Sequence, residues 1–163
     1  DMRMKTSDIN TFFEVLTRYS NVQIASPSFT HDSEGVWRYH DSQHQDKVLR
    51  YTNFVENSAA LIRTSILNNP TFDKCLKAVI SGCYLDFCFF AAVEYSETAI
   101  AIVDEAICIH PHRDSERGSE LVEQLGVEWE DHWKDMASFE ALGIQKEVYW
   151  WRQPEHFGFV ARR

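Results

Sequence analysis

The sequence predicts an α/β protein of the α+β kind, with a mainly helical N-terminal half and a mixed central sheet flanked by helices. Two observations carry that expectation. Up to Pro70 the apolar residues recur largely at helical spacing, whereas beyond it three runs rich in branched and aromatic residues have the composition of strands. The chain has 163 residues, 44% hydrophobic and 13% aromatic, which is enough for one sizeable core and too little for two. One domain over residues 1–163 is expected, with 1–70 as its helical part and 71–163 as its sheet.

The elements follow in order. Ser7 or Asp8 can cap a first helix whose residues Ile9, Phe12, Phe13 and Leu16 share one face, ending near Ser20. "VQIAS" and "GVWRY" alternate like short strands around a polar stretch with Pro27 and "HDSEG". From Gln43 to Asn68, the residues Val48, Tyr51, Val55, Ala59, Ile62 and Ile66 fit one long helix, or two broken near Asn57, stopped by "NNP". After Pro70, "CLKAVI", "YLDFCFFAAVEY" and "AIAIVDEAICIHP" read as a three-stranded meander, with turns at Ser81-Gly82 and at "SET", residues 96 to 98. A helical reading of these runs competes, and their β-branched and aromatic content favours strands.

Charge narrows the function. The net charge is −9, and between Glu94 and Glu147 fourteen acidic residues face four basic ones, so no nucleic-acid partner is expected and a cationic one is. No stretch approaches the roughly 18 apolar residues of a membrane span, and the N-terminus lacks signal-peptide features, so a cytoplasmic protein without membrane contact is expected. Cys75, Cys83, Cys88 and Cys108 lie in or beside apolar runs without a CxxC pair, and are expected to be buried thiols. His110 and His112 have strand spacing for a metal, but Pro111 and the missing third ligand argue against one. His40 and His44 are read as surface residues. Trp129, Trp133, Trp150 and Trp151 are core or contact-surface candidates.

The stretch "ICIHPHRDSERGSELVEQL", residues 107 to 125, passes from an apolar strand through a charged turn into an amphipathic helix. The first amides of a helix lack internal acceptors and suit an anion, which Gly118 would let approach closely and Arg113 and Arg117 would attract. Strands, then "RDSERG", then "SELVEQL", resemble the GNAT acetyltransferase superfamily, in which a Gln/Arg-x-x-Gly-x-Gly/Ala turn holds the pyrophosphate of acetyl-coenzyme A. "SFEALGI" resembles that family's last helix with its Leu-Gly-Phe ending, and "KEVYWW" with "HFGFVAR" its closing strands. The similarity spans residues 73 to 163.

The resemblance implies an acyl-CoA-dependent N-acyltransferase that modifies a small cationic amine or a lysine. Acetyl-CoA or another acyl-CoA would be bound by the backbone of Ile107, Cys108 and Ile109 and by Arg113, Arg117, Gly118 and Ser119. Glu105 or Asp104, which interrupt an apolar strand, are the candidate bases, because acyl transfer to an amine needs a group to take its proton. Two positions depart from the family pattern. Glu116 replaces a loop glycine, and Phe139 stands where many members carry a proton-donating tyrosine, leaving Tyr149 as the alternative donor. Those departures suit a second reading, a GNAT-like fold that binds without catalysis, and the acidity suits a third, an inhibitor or immunity-type protein with a basic partner.

Overall fold

The computed structural model describes residues 2–31, 33, 42–79, 85–111, 126, 134, 137–139, 141–144 and 156–161. These residues form a mixed α/β fold around six strands. The strands are β1 (Arg3–Met4), β2 (Ile24–Phe29), β3 (Lys47–Thr52), β4 (Leu61–Ile62), β5 (Ile100–Ile109) and β6 (His156–Ala161). Their order is β4-β2-β5-β3-β6, with β1 pairing the far end of β5. The pair β2 and β5 is parallel, and the other pairings are antiparallel.

Strand β5 is central because its sequence suits burial on both faces. Ile100 and Ile102 face one core with Ile24, Phe72, Phe89 and Phe90. Ala101 and Val103 face the other, where Phe12, Val15 and Leu16 of helix α1 (Thr6–Arg18) pack against Ala25 and Leu49. The small Ala25 and Ala101 lie on the α1 side, which lets that helix approach the sheet. On the opposite side lie helices α2 (Thr64–Leu67), α3 (Pro70–Ala78) and α4 (Phe87–Ala92).

The first helix, the strand of "VQIAS", the strand of "AIAIVDEAICIHP" and the strand of "HFGFVAR" are present where the sequence places them. Lys5 rather than Ser7 or Asp8 holds the N-cap position of α1, and Asp8 sits in its first turn. Two expectations fail. The N-terminal part is not mainly helical, since β1 to β4 all lie before residue 70, and the region 43–68 carries β3, a 3-10 turn at Asn57–Ala59, β4 and α2. Val48, Leu49 and Arg50 are buried in succession because both faces of β3 are covered, and this hides the alternation that marks a one-sided strand.

The meander fails too, because among the described residues of its three runs only β5 is a strand. "CLKAVI" lies largely in α3, which Asn69 caps by accepting from the amides of Thr71 (2.8 Å) and Phe72 (3.2 Å) while Pro70 fills the first turn. "NNP" thus starts a helix instead of merely stopping one. Within the second run, Phe87 to Ala92 form α4, and burial of Cys88, Phe89 and Phe90 overrides their strand propensity. It ends through Glu94 and Tyr95, both in the left-handed region (φ 55° and 58°), with the Tyr95 amide returning to the Phe90 carbonyl. Residues 96 to 98 form a turn into β5, and Ser81-Gly82, "GVWRY" and "KEVYWW" lie outside the described residues.

"SFEALGI" ends as a helix should. Gly143 takes φ 71°, the Ile144 amide donates to the Phe139 carbonyl at 3.2 Å, and the two side chains share a buried cluster. The same cluster contains Cys75 and Cys88, which are joined in a disulfide between α3 and α4. This corrects the expectation of free thiols, which holds for Cys108, while Cys83 is outside the described residues. With the two positions 13 apart in sequence, reduction is expected to destabilise the fold by about 3 kcal/mol through loop entropy in the unfolded chain. Urea unfolding with and without dithiothreitol measures this, and a Cys75→Ser/Cys88→Ser variant should be indifferent to the reductant.

Candidate functional site

The polar residues of β5 occupy an irregular segment of an otherwise apolar strand. Pro27 pairs with Val103 but the next residue, Ser28, pairs with Ile107, so residues 104–106 bulge out against a single step of β2. Pro27 has no amide hydrogen to give β5, and the Ser28 hydroxyl donates instead to the Ala106 carbonyl at 3.1 Å. On the other edge, β5 pairs with β3 as far as Val103 and with β1 from Cys108 onward. Side chains bridge the interval. Gln43 Nε2 donates to the Asp104 carbonyl at 2.9 Å, and the Ile107 amide reaches Asp8 Oδ1 at 3.5 Å.

Asp104 and Arg50 form a buried two-point ion pair in this bulge. Arg50 Nε lies 2.8 Å from Asp104 Oδ2 and Arg50 Nη2 lies 3.0 Å from Oδ1, with side-chain exposures of 1% and 0%. Oδ1 also accepts from the His44 amide at 2.8 Å, while Arg50 Nη2 donates to the Ser42 carbonyl at 2.8 Å. The carboxylate is therefore surrounded by donors and closed to solvent. It fastens residues 42–44 to the sheet, and a base must instead reach the proton it removes. Burial, then the charges of Arg50 and Lys47, lower the pKa of His44 and keep its ring neutral at pH 7. His44 is half-buried rather than a plain surface residue, and Lys47 Nζ lies 3.4 Å from its Nδ1.

Glu105 points elsewhere. It forms an ion pair of 3.2 Å with Arg18, in the last turn of α1, at side-chain exposures of 23% and 56%. The two adjacent carboxylates thus serve different partners, one inside the sheet and one at its helical cover. Ile107, Cys108 and Ile109 are ladder residues, with Ile107 opposite Ser28, Cys108 between Phe29 and Met4, and Ile109 opposite Arg3. The buried Cys108 thiol, raised in pKa by burial, lies 3.8 Å from both the Met2 sulfur and the Ile109 carbonyl. The His110 amide donates to Ser33 Oγ at 3.0 Å. Arg113, Arg117, Gly118, Ser119 and Tyr149 lie outside the described residues, as do Glu116, His40, His112 and the four tryptophans at 129, 133, 150 and 151. Phe139 is buried among apolar neighbours, 5% exposed.

One unusual carboxyl group escapes the sequence. Asp86, at the start of α4, has its pKa pushed up to about 7, chiefly by burial and further by the charge of Glu56, against opposing hydrogen bonds from the backbone of Asn57 and Phe87. An acid inside the apolar run "YLDFCFF" was the available signal. Nothing in the sequence shows that Glu56 is its neighbour.

No protein-family model matches the chain, and no curated protein or solved structure matches it.

Replacing Asp104 with Ala should cost about 3–5 kcal/mol in urea unfolding, because Arg50 would remain buried without its counter-charge. Glu105→Gln should cost less than about 1 kcal/mol, since its pair with Arg18 is exposed. Equal costs would contradict the different burial of the two pairs. For Asp86, the folded pKa near 7 exceeds the ordinary 3.8, so its contribution to stability is fullest below pH 3.8 and is lost as the pH rises toward 7. Asp86→Asn is therefore expected to stabilise the protein at pH 8 by about 2 kcal/mol, less than the full linkage because the site is partly exposed. Unfolding at pH 4 should show no such gain.

Proposed function

We propose that this chain acts by binding a basic protein partner rather than by transferring an acyl group. The observation that carries the reading is the engagement of both candidate bases by arginines, Asp104 in a sealed pair with Arg50 and Glu105 with Arg18. The ladder positions of Ile107 to Ile109 support it, since backbone groups in a sheet interior would have to leave their strand partners to hold a thioester. The net charge of −9, gathered between residues 94 and 147, favours a cationic surface on the partner through steering and complementarity.

An acyl-CoA-dependent N-acyltransferase, resembling the GNAT enzymes, is the second reading. The favouring observation is that β5 runs parallel to β2 with a shifted register and ends at Ile109, shortly before the stretch Arg113 to Ser119 that the sequence reads as a turn. On this reading Glu105 is the base, since it is the more accessible carboxylate, and the turn holds the pyrophosphate of acetyl-CoA.

Calorimetric titration with acetyl-CoA and with free coenzyme A separates the two. Binding to neither is the expected result. Micromolar binding that weakens in both Arg113→Ala and Gly118→Glu would overturn the binding-protein reading in favour of the enzyme, whose turnover Glu105→Gln should then reduce.

A further inference from the structure

Strand β4 pairs antiparallel with the beginning of β2, with Leu61 opposite Ala25 and Ile62 opposite Ile24. The amide of Arg63 then donates to the Gln23 carbonyl at 2.9 Å, which fixes this residue beside the sheet edge and under the C-terminal half of α1. A groove of about 380 Å³ opens there, within the size range of small-molecule sites. Its walls are mostly apolar, from Phe13 and Leu16 on α1 and from Val22, Ala25 and Leu61. Among the described residues no aspartate or glutamate lines it, although the chain carries 25 acidic residues.

Arg63 is the only charged residue in that lining among the described residues. Its Nε donates to the Val22 carbonyl at 2.7 Å and its Nη2 to the Leu16 carbonyl at 3.4 Å. A guanidinium has five N–H donors, so Nη1 and one hydrogen of Nη2 have no acceptor among the described residues. Arg18 and Arg50 each hold a carboxylate, whereas no carboxylate among the described residues pairs with Arg63. The contact with Leu16 also caps α1, and that role accounts for one edge of the guanidinium. It leaves the other edge, and the apolar walls beside it, without a partner among the described residues.

We propose that this groove binds a small amphiphilic carboxylate, whose head group pairs with the free edge of Arg63 and whose short hydrocarbon or aryl body lies against Phe13, Leu16 and Leu61. A planar, singly charged carboxylate matches one guanidinium edge in charge and geometry. A cationic amphiphile would meet Arg63 with the same sign of charge, and an anion without an apolar body would leave the walls in water. The site is separate from the Arg50 and Asp104 pair and does not require an acyl-transfer activity.

The probes are sodium octanoate, octylammonium chloride and sodium acetate, each titrated into the full chain at one ionic strength and followed through backbone amide NMR shifts. Octanoate is expected to saturate and to move the amides around Phe13, Leu61 and Arg63. Octylammonium and acetate should each bind at least about tenfold more weakly, a difference near 1.4 kcal/mol. Arg63→Gln should weaken octanoate by about tenfold or more. Because that variant also disturbs the cap of α1, Phe13→Ser provides the control. Phe13 is 53% exposed, so its loss leaves the fold and the arginine in place while removing one wall, and octanoate should weaken severalfold. Equal binding of octanoate and octylammonium, shifts confined to another part of the protein, no shift at millimolar octanoate, or wild-type affinity in both variants would each overturn the assignment.

Discussion

A sheet strand that changes neighbours halfway along its length must satisfy the backbone groups left between them, and β5 does so around the ion pair of Arg50 and Asp104. One edge of β5 passes from β3 to β1, while its other edge slips three residues against β2. Two apolar cores press on the sheet from opposite sides, and Asp104 and Ala106 are fully buried, so their backbone groups cannot borrow hydrogen bonds from solvent, whereas Glu105 reaches the surface. The pair, together with Ser42, Gln43 and His44, provides them internally. Burying two charges costs several kcal/mol per ion, and an apolar pair of equal volume would often be as stable. An apolar pair would not, however, satisfy the Ser42 carbonyl or the His44 amide. The interaction's value therefore lies in fixing one register and one loop path more than in net stability.

Helix α1 depends on that irregular strand at both of its ends. Asp8, in its first turn, accepts from the Ile107 amide, and Arg18, in its last turn, meets Glu105. Both contacts reach residues in or beside the bulge, so the displaced backbone is also what the helix grips. Between these ends Phe12, Val15 and Leu16 bury against Ala25, Ala101 and Leu49. Apolar burial supplies most of the attraction, and the polar contacts select how the helix lies over the sheet.

How much of this could be read from the chain depended on the range of the interaction. The helical spacing of Ile9, Phe12, Phe13 and Leu16 is local, and α1 was legible as a helix, but its buried face is turned, since Ile9 and Phe13 are exposed and Val15 is buried with Phe12 and Leu16. The long β-rich run of β5 was legible for the same reason. In contrast, β3 is buried on both faces, and α4 is an aromatic helix held between α3 and the sheet, so tertiary cover replaced the local periodicity in each. The order "NNP" was ambiguous in itself, because the same proline that excludes a preceding helix suits the first turn of the next. Asp104 and Glu105 stood out as charges in an apolar strand, but their roles were set by Arg50 and Arg18, 54 and 87 residues away in sequence. Charge in an apolar run signals an unusual environment, and only the partner says whether that environment is structural or chemical.

The arginines extend that distinction. Arg50 is fully enclosed and matched to a carboxylate, so its charge is spent within the fold. Arg18 is matched at the surface, where water screens the pair and its contribution is small. Arg63 is half-buried, bonded among the described residues to carbonyl groups alone, and set beside apolar walls. Carbonyl acceptors satisfy hydrogen-bonding capacity without cancelling the net charge, so the local field stays positive even where the geometry is capped. In a chain with 25 acidic and 16 basic side chains, a cation kept clear of every described carboxylate is a selective feature. It would repel the basic surface proposed as this protein's partner, which assigns that partner to a different face and leaves the α1 groove for a ligand of opposite sign.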